Sequence, residues 1–283
     1  MQKISGAEIA QKIIDDLKSR SKPDKIFAAI LVGENDSTSS PQVRASISFL
    51  KQKGKIAEEL GVDFRVYRFP EEIKNDDLRK KVGKIALLGP VGGVIVQLPL
   101  PVHLNRHYIL NVIPREKDID VLGERALGAF YNDRNFVLPP SVGVVETILN
   151  SQSYILNSKK VAVVGPGFLV GKPITTWLIG KCPEIYLLDQ GSDFSILKQT
   201  DLVITGTGQP GLIKPRMLKD GAGVIDFGYS IDENGKIKGD FDFNSLVASG
   251  YPLNFYTPTP NGTGPILVAK IFENFYKLNK SNE

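Results

Sequence analysis

The 283-residue chain has little of what usually holds metals or covalent cross-links: one cysteine, Cys182, and two histidines, His103 and His107. A lone thiol cannot close an internal disulfide, and two histidines without neighbouring cysteines lack metal-ligand spacing, so no metal is expected. No run of about 18 apolar residues exists, so no membrane-spanning helix is expected. The opening M-Q-K-I-S-G-A-E-I-A-Q-K-I mixes charge with helical spacing and has no signal-peptide core, which argues for a cytoplasmic address. The formal charge of +4 is spread over interleaved acids and bases. It makes no basic stripe of the kind that binds nucleic acid. Internal repeats and low-complexity segments are missing as well.

What is there is an ordinary soluble composition in a chain longer than one common domain, so two compact lobes are expected. The first reads as alternating helix and strand. Helices are expected at Gly6–Ser19, from about Ile47 to Leu60 and at Asp76–Leu87, and strands at Ile26–Val32, Asp63–Phe69 and Gly93–Leu98. Such alternation implies an α/β fold with a parallel sheet covered on both faces. Between Glu34 and Arg44 the polar, proline-punctuated E-N-D-S-T-S-S-P-Q-V-R reads as a surface loop. A second unit follows Leu138-Pro139-Pro140, with helix Val142–Asn150, strand Lys160–Val164, a glycine turn and helix Pro173–Gly180. Its further strands are expected at Ile185–Asp189, Leu202–Thr205, Gly223–Phe227 and Asn254–Thr257, the rhythm of a Rossmann-like dinucleotide-binding fold. In the last segment, Ile266–Leu278, the residues Leu267, Ile271, Phe272 and Phe275 fall at helical spacing and need a surface to pack on.

The most informative stretch is G-V-I-V-Q-L-P-L-P, Gly93 to Pro101. Gln97 is one amide inside an apolar strand that stops at Pro99, and a buried amide is unfavourable unless bonded. It should therefore point into a cleft or satisfy a backbone group. Upstream lies F-L-K-Q-K-G-K-I-A-E-E-L-G (Phe49 to Gly61) and downstream I-P-R-E-K-D-I-D (Ile113 to Asp120). Further along come V-V-G-P-G-F-L-V-G-K-P (Val163 to Pro173) and T-P-T-P-N-G-T-G-P (Thr257 to Pro265). In order and spacing these pieces resemble the methylenetetrahydrofolate dehydrogenase/methenyltetrahydrofolate cyclohydrolase family, and the resemblance runs nearly the whole chain.

That resemblance implies a discontinuous folate-binding catalytic domain, 1–138 with 266–283, and an NAD(P)-binding domain, 139–265. It also implies a homodimer. Lys53 falls on the lysine of the family's Tyr-x-x-x-Lys, which in relatives is the general acid/base. Lysine with an ordinary pKa near 10.4 is too fully protonated for that role unless its surroundings favour the neutral form. By resemblance the Gln97 amide hydrogen-bonds the lysine and tunes it, and Asp120 orients the pterin ring through paired hydrogen bonds. Asp118 reads more readily as a turn cap. Phe49, Leu98, Pro99, Pro260, Gly262, Gly264 and Pro265 are the implied substrate-binding positions.

Departures from the family pattern are specific. Phe49 replaces tyrosine, which keeps a stacking ring and loses a hydroxyl. Val121 replaces glycine, and a β-branched residue resists positive φ, so that loop is expected to be aimed differently. Asn261 and Thr263 replace glycine and valine, and asparagine tolerates left-handed backbone.

In the second domain the implied cofactor positions are Gly165, Pro166, Gly167, Val170, Gly171, Asp189, Gly206, Thr207, Gly208, Asp226 and Gly228. Glycines ahead of a helix let a phosphate approach its N-terminus, though this spacing is looser than G-x-G-x-x-G. Pro166-Gly167 stands where relatives usually have Arg-Ser, natural partners of the NADP phosphates. Asp189 ends the next strand, where an acid accepts from ribose hydroxyls and repels a 2′-phosphate. NAD is therefore expected over NADP, unless Asp189 only caps its turn.

The function so implied is oxidation of 5,10-methylenetetrahydrofolate and hydrolysis of the methenyl product to 10-formyltetrahydrofolate. The alternatives are a variant keeping one activity, a binding protein without catalysis, or another two-lobed dehydrogenase that would leave the Gln97 strand and the Phe49–Lys53 helix without a role.

Overall fold

The computed structural model describes residues 1–33, 41–232 and 235–280. Its strands are β1 (Gln2–Lys3), β2 (Ile26–Val32), β3 (Asp63–Phe69), β4 (Val91–Val96), β5 (Lys160–Val164), β6 (Glu184–Leu188), β7 (Leu202–Thr205), β8 (Gly223–Asp226), β9 (Ser230–Ile231), β10 (Ile237–Lys238) and β11 (Phe255–Tyr256). Its α-helices are α1 (Gly6–Ser19), α2 (Pro41–Leu60), α3 (Asn75–Leu87), α4 (Arg106–Leu110), α5 (Glu124–Tyr131), α6 (Pro140–Ser151), α7 (Gly171–Leu178), α8 (Phe243–Ser249) and α9 (Thr263–Leu278). Among the described residues no helix is long and apolar enough to cross a membrane.

Contacts divide the chain into two compact units, Gln11–Pro140 with Val268–Glu283, and Met1–Ala10 with Ser141–Leu267. The first ten residues are the main departure from the expected division. They go with the dinucleotide unit because β1 extends its sheet, pairing parallel with β11, and because the Gly6 N–H donates to the Asn261 carbonyl at 2.9 Å.

The folate unit is built on a parallel three-stranded sheet in the order β3-β2-β4. The central strand, I-F-A-A-I-L-V, is buried along its whole length, the pattern of a strand covered on both faces. Phe27 on β2 meets Phe64 edge-on at 5.0 Å and packs on Phe272 and Phe275 of α9 at 5.2 and 5.4 Å. The last helix thus supplies core to a sheet formed far earlier in the chain. Gly93 is glycine for the same reason, since a Cβ there would lie 2.8 Å from the Phe275 ring.

Among the boundaries that differ from the sequence expectation are those of β4, α2 and α9. β4 ends at Val96, so Gln97 and Leu98 lie past the strand. Leu98 precedes proline and Pro99 has no N–H for a ladder, while the Gln97 N–H still donates to Ile30 at 2.9 Å. α2 begins at Pro41, well before Ile47, because proline suits a first helical position, where its missing N–H has no partner to lose. The rest of the expected loop, residues 34–40, lies outside the described residues. α9 begins at Thr263, three residues before Ile266.

The dinucleotide unit is a six-stranded parallel sheet in the order β1-β11-β8-β7-β5-β6, with a separate antiparallel hairpin, β9–β10. Its core includes Ala162, Val164, Leu197, Val203, Ile213 and Val224. From β5 the chain goes to β6 on one side and then returns to β7 on the other. The carboxyl ends of β5 and β7 therefore flank a topological switch point, the place where parallel α/β sheets leave a ligand crevice.

Phe272 is fully buried. Phe272→Ala is expected to lower the stability of the folate unit by about 3–5 kcal/mol in urea unfolding. A change below about 1 kcal/mol would mean that α9 is not part of that core.

Candidate active site

α2 turns its Leu50, Ala57 and Leu60 face inward and leaves Lys51 and Lys55 exposed. Lys53 is on the inward side, only 6% exposed, and its Nζ donates to Gln97 Oε1 at 2.9 Å. The other end of the same amide donates from Nε2 to the Leu98 carbonyl at 3.2 Å. Gln97 therefore satisfies a backbone group with its nitrogen, one of the two outcomes expected of it, and bonds the lysine with its oxygen. A buried ammonium whose bonded partner is a neutral amide loses more hydration than it regains. Burial accordingly pushes the Lys53 amine below its ordinary 10.5, while the Asp120 carboxylate draws it back up. Burial also raises Asp120, with Lys53 opposing.

Phe49, one helical turn before Lys53, is half-buried on α2. Leu98 is half-buried and Pro99 exposed, joined by a cis peptide just past β4.

The loop carrying Asp120 is pinned by Asp118. The Asp118 carboxylate is buried, and its Oδ2 accepts from the Leu122 and Gly123 N–H groups at 3.0 and 2.8 Å, capping the entry to α5. Burial lifts it to about 7, with the Gly123 N–H opposing and the Asp120 charge adding to the rise. Val121 departs from the expectation that it would avoid positive φ: it sits at φ 56. A left-handed backbone costs a β-branched residue on the order of 1–2 kcal/mol. Complete burial of its side chain and the bonds to Asp118 offset this.

In the second unit the Thr257–Gly262 turn is tightly packed. Asn261 takes the left-handed conformation (φ 71). A Cβ on Gly262 would lie 2.2 Å from the Pro258 carbonyl oxygen, and one on Gly6 would lie 1.7 Å from the Gly262 oxygen. Pro260 is exposed, whereas Gly264 and Pro265 lie in the first turn of α9, beyond the turn.

At the switch point a cavity of about 500 Å³ is lined by Val164, Gly165, Pro166, Gly167, Asp189, Gln190, Gly191, Phe194, Gly206, Thr207, Gln209 and Leu212. It brings together six of the positions expected to bind the cofactor: Gly165, Pro166, Gly167, Asp189, Gly206 and Thr207. Asp189 also realises the alternative reading, since its Oδ1 accepts from the Gln190 N–H at 2.8 Å and caps the turn.

The remaining five have other places. Gly171 supports the wall, because a Cβ there would lie 2.0 Å from the Gly165 oxygen and α7 could not start so close to β5. Val170 packs over Gly206, and Gly208 supplies a positive φ (72) to the turn after β7. Asp226 and Gly228 are buried: the Asp226 carboxylate accepts from the N–H groups of Gly228 (2.7 Å), Phe241 (3.0 Å) and Asp240 (3.2 Å). These two hold backbone together and do not face the cavity.

Sequence reading missed the lining residues Val164, Gln190, Gly191, Phe194, Gln209 and Leu212, and it missed Asp240 entirely.

Gly165, Gly167 and Gly206, which put bare backbone in the cavity wall, the N-terminal end of α7 with its positive dipole, and a carboxylate just after β6 fit a dinucleotide with its diphosphate and ribose. Among the described residues no group of His, Cys, Asp or Glu is arranged to hold a metal.

Residues 4–120 match the family model of the tetrahydrofolate dehydrogenase/cyclohydrolase catalytic domain, and residues 139–283 match that of its NAD(P)-binding domain. The chain is 32% identical over 292 residues to the bifunctional protein FolD of Mycoplasmopsis synoviae, across 99% of this chain and 100% of that one. The crystal structure of the bifunctional enzyme FolD, methylenetetrahydrofolate dehydrogenase/cyclohydrolase, from Campylobacter jejuni superposes with a TM-score of 0.90 at 30% identity, covering 99% of this chain and 98% of that one. The bifunctional enzyme of Thermoplasma acidophilum gives 0.86 at 26% identity, over 98% of each chain. With both domains matched and their order kept, the chain belongs to the tetrahydrofolate dehydrogenase/cyclohydrolase family.

Proposed function

We propose that this protein oxidises 5,10-methylenetetrahydrofolate to the 5,10-methenyl form and then hydrolyses that form to 10-formyltetrahydrofolate. The observation that carries the reading is the buried Lys53 amine bonded to Gln97, with the Asp120 carboxylate acting on its charge. A nicotinamide dinucleotide bound in the second unit supplies the hydride acceptor for the first reaction.

The hydrolysis runs on the chain's own groups. Water attacks the cationic methenyl carbon and a C–O bond forms. The proton that the water gives up goes to the neutral Nζ of Lys53, and the bond from that carbon to N5 then breaks, leaving the formyl group on N10. Lys53 can return the proton to N5, and one proton leaves to solvent overall. Gln97 Oε1 holds the amine in place and, as a dipole aimed at its protons, sets how readily it is charged. Asp120 holds the pterin through a pair of charge-assisted hydrogen bonds. Phe49 contributes a stacking face without a hydroxyl.

Lys53→Met is expected to lower methenyl hydrolysis by at least about 100-fold. The neutral amine is the base, so the wild-type rate should rise with pH through a pKa below 10.5. Gln97→Glu places a negative charge beside the ammonium, raises that pKa and moves the rise to higher pH. Full hydrolysis by the methionine variant, or superimposable pH profiles for wild type and Gln97→Glu, would contradict the assignment.

The cofactor preference is NAD, supported by Asp189 in the cavity wall and by Pro166-Gly167, which offers neither a guanidinium nor a hydroxyl to a 2′-phosphate. Initial rates at limiting nucleotide should give a higher kcat/KM with NAD. Equal or better use of NADP overturns the preference.

A further inference from the structure

Asp240 follows β10 and is completely buried. Its Oδ2 accepts from the Thr205 hydroxyl at 2.8 Å and from the Thr207 N–H at 2.6 Å, while its Oδ1 has no hydrogen-bond partner. Thr205 is the last residue of β7, and Thr207, two residues on, lines the dinucleotide cavity. The carboxylate therefore grips the switch-point turn from the side away from solvent. The Thr207 hydroxyl in turn accepts from the N–H of Gln209, another lining residue, at 3.1 Å.

Asp240 is itself clamped. Its own N–H donates to Asp226, and a Cβ on Gly228 would lie 2.3 Å from its Oδ1, so the carboxylate has no room to move. Asp226 is anchored by Thr257 Oγ1, which accepts from the Asp226 N–H at 2.7 Å, and its carbonyl accepts from Thr263 Oγ1 at 2.9 Å. Placing two carboxylates together in the core is unfavourable for folding: burial and the Asp240 charge push Asp226 up to about 7. An apolar pair of similar volume would fill the same space without that repulsion, but it could not hold an N–H of the turn.

We infer that Asp240 is a positioning residue for the cofactor: by accepting from Thr205 and Thr207 it fixes the Thr205–Gly208 turn in the shape that receives the dinucleotide. This rests on reading the switch-point cavity as the nucleotide site. No reacting atom is touched, so the consequence is for binding rather than for chemistry.

Steady-state kinetics on the full-length protein tests it. Asp240→Ala removes the acceptor for both donors and should raise the KM for NAD about tenfold or more, with kcat at saturating NAD and the KM for methylenetetrahydrofolate changed less than about threefold. Asp240→Asn retains one carbonyl oxygen for the same two donors and should bring the KM for NAD back to within about twofold of wild type. A purely structural role would instead reduce the active fraction, and with it kcat, at unchanged KM. Should the alanine variant fail to fold, Thr205→Val, which removes one of the two donors, should raise the KM for NAD about threefold. An unchanged KM for NAD in the alanine variant, or in Thr205→Val where alanine does not fold, overturns the inference. A wild-type protein that turns over with neither NAD nor NADP would overturn the nucleotide-site reading itself.

Discussion

One hydrogen bond carries the chemistry: an amine, taken out of water, that meets a carboxamide oxygen. Nothing about lysine as such makes it a base near neutral pH, because in water its proton is held up to an ordinary 10.5. The fold changes this by burying Nζ beside Gln97, a partner that can position the ammonium but cannot neutralise it. The Asp120 carboxylate works in the opposite direction and keeps the charged form within reach. A group that must accept a proton and later release it needs both influences, and the first unit supplies both.

Much of that unit follows from elementary constraints. β2 is apolar throughout because it is central and covered on both faces, and α9 packs on it through Phe272 and Phe275. With Phe27 these rings form a core that holds β4 and the segment after it in register with β2. Gln97 can turn its side chain to Lys53 because its own N–H is still tied to Ile30. In the second unit buried carboxylates fix backbone turns through N–H groups, as Asp118 does beside Asp120 in the first. The same device, an acid given donors and denied water, sets loop geometry in each unit.

What could be read from the residues was the part governed by short-range pattern. β2 and β3 lie where the expected strands Ile26–Val32 and Asp63–Phe69 put them, and the helical spacing of the last segment announced a helix in need of a surface to pack on. Gln97 stood out because a polar residue in an apolar strand demands an explanation, and Lys53 because it falls on the lysine of the family's Tyr-x-x-x-Lys. Most of the misses have long-range causes. Val121 adopts φ 56 because burial and Asp118 outweigh its local preference. Pro41, by contrast, starts a helix inside a segment whose polar, proline-punctuated sequence reads as a loop. The first ten residues join the second unit through a strand pairing with residues some 250 positions away. Nothing in the sequence singled out Asp240, since its partners Thr205 and Thr207 lie at and just past the end of β7. Asp226 and Gly228 read as ligand contacts because they stand at the carboxyl end of a strand, and in the structure the Asp226 carboxylate accepts from backbone N–H groups and neither residue lines the cavity.

The central claim concerns the protonation of one side chain, and NMR of the protein with ¹³C-labelled lysines, assigned by the spectrum of Lys53→Met, follows it directly. The account predicts that the Lys53 resonance titrates below 10.5. A Lys53 that titrates at or above that value would contradict the account.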